Sequence, residues 1–359
     1  MGLKKLIARR ILMSVPVAIG VVTVIFLVMS AMTPTMKVAY YLGERPAALR
    51  PDNVKKAIHD FGLDQPLPLQ YASWLEKIVS FDFGRSYASE GEEGPLVLDL
   101  ISTSLPQTFE LVLYSMPLVL VLSIWFGTRA AFNQNRTLDH IVRVFATIGT
   151  SFPVFVVSMF LILLWMIVQN QFHFNFLPIG ALDYNMQVDV NSRIARGSFT
   201  VYTNMMTIDT LLNGDTTLFL DSVMHIILPV MILVFSQCAL LIRVTRSGLI
   251  EELGKPYAVS ASAKGLSKKE VLYKHVRKNA AISILTISGL LMSNMFVSIV
   301  IVERVFWRPG FASLLVDSAL TMNTPVLFTG AMFIALAFVV LNLAVDILYE
   351  RLDPRIRLT

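Results

Sequence analysis

Long uncharged apolar runs, separated by polar stretches of very unequal length, set the plan of this chain. From Ile11 to Ala31 there is no charged residue over 21 positions. At a rise of ~1.5 Å per residue that helix reaches about 31 Å, which matches a hydrocarbon core of ~30 Å. Five further runs are apolar and helix-length: Leu111 to Gly127, Val144 to Val168, His225 to Ile242, Ala280 to Val302 and Val326 to Leu348. The pattern predicts an all-α polytopic membrane protein with six transmembrane helices and both termini on one side. It divides the chain into an N-terminus and first span (1–32), an external segment with short helices (33–107) and a core of five spans (108–359). Within that core lie an external loop at 169–224 and a cytoplasmic segment at 243–279.

The polar stretches carry their own periodicities. In the first, Asp52 is placed to cap a helix with Val54, Ile58 and Phe61 on one face and Gly62 as its stop, and Tyr71, Trp74, Leu75, Ile78 and Val79 form a second apolar stripe. Such stripes pack small helices onto the membrane domain. Loop 169–224 is rich in Asn, Thr and Asp without strong periodicity, and reads as an irregular lid or a contact for an external partner. Segment 257–279 predicts a helix, a sharp turn and another helix. Gly265 can close the first in the left-handed conformation, and Ser267 with Glu270 forms a capping box that starts the second. It reads either as a docking element for a cytoplasmic partner or as a solvated basic loop. Pro16, Pro117, Pro153 and Pro229 fall inside the apolar runs, where neighbouring helices can satisfy the freed carbonyls.

Composition supports the bilayer. Hydrophobic residues make up 55% of 359 and charged ones 15%, with mean hydropathy +0.65, too apolar for a water-soluble globule of this size. With a cytoplasmic N-terminus, 19 of the 30 Lys and Arg fall on the inner side: Lys4, Lys5, Arg9 and Arg10; Arg129, Arg136 and Arg143; nine from Arg243 to Lys278; and Arg351, Arg355 and Arg357. The net charge of +5 is therefore a topological signal and implies no nucleic-acid partner. The apolar run at the N-terminus is longer than that of a cleaved signal peptide and predicts an uncleaved span. Cys238, alone of its kind, can form no intrachain disulfide, and His59, His140, His173, His225 and His275 show no metal-ligand spacing.

Candidate chemistry is sparse. A phosphate cradle is approached only at Gly248 to Lys255, where five residues separate the glycines instead of four and Pro256 stands in the position of the magnesium-holding hydroxyl. No cofactor is expected in this chain. A nucleophile elbow, a His-Glu-x-x-His helix and a Cys-x-x-Cys pair are absent from the sequence, so an enzyme reading has no residues to carry it. An ion-coupled carrier needs an ionisable residue at depth, and none lies near a span centre; Glu110 and Asp346 fall at span ends, where snorkelling makes them cheap. Ser151, Ser236, Gln237, Ser293 and Asn294 are polar at depth. They predict interhelical hydrogen bonds first and a lined solute pathway second.

Motifs spread over nearly the whole chain give it a family likeness. They are Gly62-Leu-Asp-Gln-Pro-Leu-Pro-Leu-Gln-Tyr71 with Trp74, Phe81-Asp-Phe-Gly-Arg-Ser86, Ser104-Leu-Pro-Gln-Thr108, Tyr257, Ala261-Ser-Ala-Lys-Gly-Leu-Ser267, His275, Asn279, Glu303-Arg-Val-Phe306, Pro309-Gly310, Asn342-Leu-Ala-Val-Asp346, Tyr349 and Asp353-Pro-Arg355. Together they resemble the membrane permease of a binding-protein-dependent ABC importer of the dipeptide, oligopeptide and nickel subfamily. The resemblance implies a type I ABC importer permease fold in the plasma or inner membrane, with both termini cytoplasmic. It implies that Tyr257, Ala261, Ala263, Lys264, Gly265, Leu266, Ser267, Glu270 and His275 belong to a segment that couples to an ATPase. Val259, Ser260, Ala261 and Gly265 stand at the family's Glu-Ala-Ala…Gly motif, of which the last Ala and the Gly match. Lys264, Lys268 and Lys269 would then engage the rim of the ATPase cleft.

The resemblance further implies partners: a second, homologous permease subunit, two ABC ATPase subunits that bind the ATP and Mg, an extracellular solute-binding protein, and membrane lipid. The expected function is import of oligopeptides or oligosaccharides. Two departures bear on substrate: the long 169–224 loop, and Asn323-Thr324-Pro325 where Asp-Tyr-Pro is common. The alternatives are an ion-coupled secondary transporter, which the absence of a mid-membrane charge disfavours, and a structural membrane protein, which predicts an unpatterned 257–279 segment.

Overall fold

The computed structural model describes residues 3–33, 36–38, 51–86, 94–172 and 178–352, of which 3–10, 51, 172, 278, 282–283, 293 and 344–352 are described by backbone alone. His173, Asp353-Pro-Arg355 and Arg357, and the side chains of Ser293, Asp346, Tyr349 and Arg351, lie outside the described residues. Among the described residues every regular element is a helix, and a single isolated bridge joins Arg85 to Leu96. Among the described residues five helices are long and apolar enough to cross a membrane, or six when the bent pair Asn279–Met292 and Asn294–Val305 is taken as one span. The backbone divides into two compact units, Met1–Pro106 with Gly310–Ala344, and Gln107–Pro309 with Val345–Thr359.

The first unit contains α1 (Leu3–Ser30), α2 (Pro51–Asp60), α3 (Leu67–Val79), the start of α4 (Val97–Phe132), α13 (Phe311–Leu320) and most of α14 (Thr324–Leu352). Helix α2 begins at Pro51, so Asp52 sits in its first turn instead of capping it. The predicted stop is present: Gly62 has φ +64°, and Leu63 N–H donates back to Ile58 O at 2.8 Å. The second stripe packs on the first span as its spacing predicts. Phe26 meets the rings of Tyr71 and Trp74 at 5.1 and 5.5 Å, and the Tyr71 hydroxyl is 2.7 Å from Thr23 Oγ1. Val79, 77% exposed, is off that face. Around this contact Val22, Met29, Phe83, Val97, Ile101, Phe311, Val326 and Met332 complete a core.

The second unit is organised on α9 (Thr216–Leu253), a 38-residue helix. Against it pack α5 (Thr137–Ser151), α6 (Val154–Phe172) and α12 (Arg277–Val305). Two glycines allow close approach: a Cβ on Gly149 would lie 2.5 Å from Ala239 Cβ, and one on Gly127 2.7 Å from Thr245 Cβ. The third span differs from its expected limits. The apolar run from Val144 is broken at Phe152, which is extended (φ −98°, ψ 131°) because the Pro153 ring excludes the helical region for the residue before it. The membrane-length helix is therefore Val154–Gln171. Helices α4 and α9 are longer than the runs that predicted them, and the fifth span bends by 41° between Asn279–Met292 and Asn294–Val305.

Loop 169–224 is a second correction. It contains α7 (Tyr184–Ala195) and α8 (Met206–Leu212) and leads into α9. Asp183 caps α7 through Asn185 N–H at 3.0 Å, and Asp215 caps α9 through Thr217 and Leu218 N–H at 3.1 and 3.0 Å. Arg193 pairs with both Asp189 and Asp215, at 2.7 and 2.8 Å. The Leu218 N–H, followed by Arg193, holds the Asp215 carboxyl below its usual range. Short helices fixed by caps and ion pairs present too few turns for an apolar period to show, which is why the Asn, Thr and Asp content read as irregular.

Candidate coupling segment and buried charge clusters

Gly254 ends α9, and Pro256 opens α10 (Pro256–Ala263), where its missing N–H is no loss. Across that corner Tyr257 Oη donates to Glu252 Oε2 at 2.5 Å, and Lys255 pairs with Glu252. Burial, then this hydrogen bond, raises the Tyr257 hydroxyl above its ordinary pKa. Helix α10 closes as predicted. Gly265, at φ +88°, donates to Ser262 O at 3.0 Å, and Leu266 N–H to Ala261 O at 3.4 Å, the paired bonds of a left-handed C-terminal cap. Two residues later the capping box is complete: Glu270 N–H donates to Ser267 Oγ at 3.3 Å, and Ser267 N–H to Glu270 Oε2 at 3.1 Å. The Ser267 hydroxyl, with its N–H and Lys274, holds the Glu270 carboxyl low.

These caps make a stiff turn between α10 and α11 (Lys268–Glu270), which continues through a π-helical turn, Val271–Val276, into α12. Ala258, Val271, Leu272 and Val276 are buried and seat the segment, while Val259, Ser260, Ser262, Ala263, Lys264, Gly265 and His275 are exposed. The arrangement is a rigid helix–turn–helix with a small-residue face free to enter a groove. Lys268 departs from the expected outward role. Its ammonium donates to Phe132 O, the last residue of α4, at 2.8 Å, and lies 5.4 Å from the centre of the Phe132 ring.

Two buried charge clusters escaped the sequence reading. In the first, Arg308 Nη2 donates to Glu110 Oε2 at 2.8 Å, and the other oxygen of Glu110 accepts from Thr207 N–H at 2.8 Å and Thr207 Oγ1 at 2.6 Å. Thr108 Oγ1 donates to Glu303 Oε1 at 2.5 Å, and Gly180 N–H to Phe306 O at 3.0 Å. Glu110 and Glu303 are wholly buried and Arg308 is 4% exposed, so Glu110 is a sequestered, paired carboxylate and not a snorkelling one. The cluster ties loop 169–224 to the first half of α4 and to the end of α12. In the second, Asp139 accepts from Arg246 and from Asn135 N–H at 2.9 Å, which joins α5 to α9. The Arg246 hydrogen bond, above all, holds the Asp139 carboxyl below its usual range.

The family described as binding-protein-dependent transport system inner membrane component matches residues 120–358, and its N-terminal counterpart matches residues 3–122. A di/tripeptide transport system permease protein of Pseudomonas aeruginosa is 32% identical over 352 residues, 98% of either chain. An oligopeptide transport system permease protein of Bacillus subtilis is 31% identical over 350 residues, and a dipeptide transport system permease protein of Escherichia coli 29% over 351, again with 98% of both chains covered. The chain belongs to this family of ABC importer permeases.

As a permease subunit it is a membrane component and not an enzyme, and membership implies ATPase and binding-protein partners. The polar residues expected at depth separate in the permease. Gln237 Nε2 donates to Ser298 Oγ at 3.3 Å, an interhelical bond between α9 and α12. Ser236 Oγ returns to Leu233 O and Ser151 Oγ to Thr147 O within their own helices, and Asn294 is exposed just beyond the bend of α12. The structure thus brings residues 257–270 into one capped turn, whereas Ser151, Ser236, Gln237 and Asn294 do not bond to one another. Glu303 and Thr108 stood in the sequence motifs; Arg308 and Asp139 had no signal beyond being charges beside apolar runs.

Proposed function

We propose that this permease carries di- or oligopeptides, delivered by an external binding protein, across the inner membrane at the expense of ATP bound by two ATPase subunits. The end-to-end similarity to permeases named for di/tripeptide, dipeptide and oligopeptide transport carries the substrate class. It favours peptides over the oligosaccharide alternative. The stiff, exposed turn at 257–270 supports assigning the ATPase contact to α10, with Tyr257, Ala261, Ala263, Lys264, Gly265, Leu266, Ser267 and Glu270 forming or bracing the docking element and His275 on its exposed flank. Closure of the ATPases would displace α10 and switch the spans between inward and outward openings around a second, homologous permease subunit. Both termini are placed in the cytoplasm, on the side that holds this basic segment. Asn294, at the bend of α12, is the favoured pathway residue of the original five; Gln237 serves helix pairing.

The test is to purify the assembled importer with its binding protein from native membranes, denature it and identify the released ligand by mass spectrometry. A mixture of short peptides is expected. A ladder of pentose or hexose oligomers would overturn the peptide assignment.

A further inference from the structure

Three attachments hold the coupling turn to the rest of its unit. At its start Tyr257 and Lys255 bind Glu252 at the end of α9. At its far end the buried Val271, Leu272 and Val276 of the π-helical turn seat it before α12. Between them Lys268 reaches Phe132 O, 136 residues away in sequence, at 2.8 Å. The last carbonyls of a helix have no partner in the helix and carry its negative end, so a lysine ammonium there gains both a hydrogen bond and the dipole. The Phe132 ring beneath the ammonium adds a second attraction. The adjacent carbonyls of Arg129 and Asn133 accept from Asn133 and Arg136 N–H, and Phe132 O accepts from Lys268.

We infer that Lys268 is a positioning residue for ATP coupling: by clamping the coupling turn to the C-terminal carbonyl of α4, it passes movement of α10 into α4 directly. The inference rests on the assignment of α10 as the ATPase contact. Its structural logic is that α9 and α12 are joined to the turn by continuous backbone, whereas α4 is reached through this side chain. Helix α4 is also the one that bears Thr108 and Glu110 of the buried cluster, about six turns before Phe132. A displaced coupling turn can therefore act on the cluster that holds loop 169–224 without passing through α9 or α12. Lys268 is exposed and unburied by neighbours, so its replacement leaves the core of the segment intact.

The experiment uses the full importer, with partner permease, ATPases and binding protein, in proteoliposomes. Lys268→Gln, Lys268→Arg and Ala263→Arg are compared with wild type for melting temperature, ATPase copurification, KM for ATP and stimulation of hydrolysis by peptide-loaded binding protein. Lys268→Gln is expected to assemble and melt as wild type with unchanged KM, yet to lose about five-fold or more of the stimulation, as a coupling free energy of ordinary size requires. Lys268→Arg, which keeps the charge and donors, should restore most of it. Full stimulation in Lys268→Gln would overturn the inference, and so would failure to copurify the ATPases, since that would make Lys268 a partner contact. Ala263→Arg places bulk on the exposed face of α10. If it too leaves assembly and stimulation unchanged, the assignment of α10 itself fails; if it blocks them while Lys268→Gln does not, only the clamp is wrong.

Discussion

Arg308 shows what a single charge does in this permease. It is 4% exposed between Glu110 and the carbonyl of Gly180, and Glu110 is wholly buried. Replacing Arg308 by Met removes a cation of similar length but leaves Glu110 without a counter-charge, and breaking a buried pair in this way costs about 3–5 kcal/mol. Arg308→Met should therefore lower the melting temperature of the purified permease markedly. The double variant with Glu110→Gln, which retains an acceptor for the Thr207 hydroxyl and no charge, should recover part of the loss. A single variant that melts with the wild type would show that the pair contributes nothing net.

Helix contacts are set by size as much as by charge. Gly149 lets α5 lie against Ala239 of α9, where an added Cβ would approach to 2.5 Å. Gly149→Val should overpack that contact and destabilise by about 1–3 kcal/mol. Gly248, on the same α9 with nothing within 4 Å of an added Cβ, should accept Ala without loss. Thermal melts followed by size-exclusion of the surviving folded fraction separate the two, and equal losses would refute the packing argument. The stops and starts at Gly62, Gly265 and Ser267–Glu270 were legible because each is closed by bonds within about five residues. The break at Pro153 was not, since Pro16 and Pro229 stay inside helices and an apolar run does not say which proline its neighbours will accommodate. Neither the π-helical turn nor the clamp of Lys268 on Phe132 has a local signature. The Arg308–Glu110 pair joins residues 198 apart, a distance no periodicity spans.

For the whole molecule the question is what drives transport. Three carboxylates beside or within the long helices are paired: Glu110 with Arg308, Asp139 with Arg246, Glu252 with Lys255. A carrier that cycles a proton or sodium must expose a carboxylate to each side in turn, whereas Glu110 is wholly buried and engaged by an arginine and two hydrogen bonds from Thr207. Under the proposed function the energy enters through the α10 segment instead. In proteoliposomes carrying the whole importer, uptake of peptide should require ATP inside and binding protein outside, and should persist when ionophores collapse proton and sodium gradients. Uptake by the permease pair alone, driven by an imposed ion gradient and abolished by those ionophores, would instead make a carrier of it and leave the stiff turn at 257–270 without a role in driving transport.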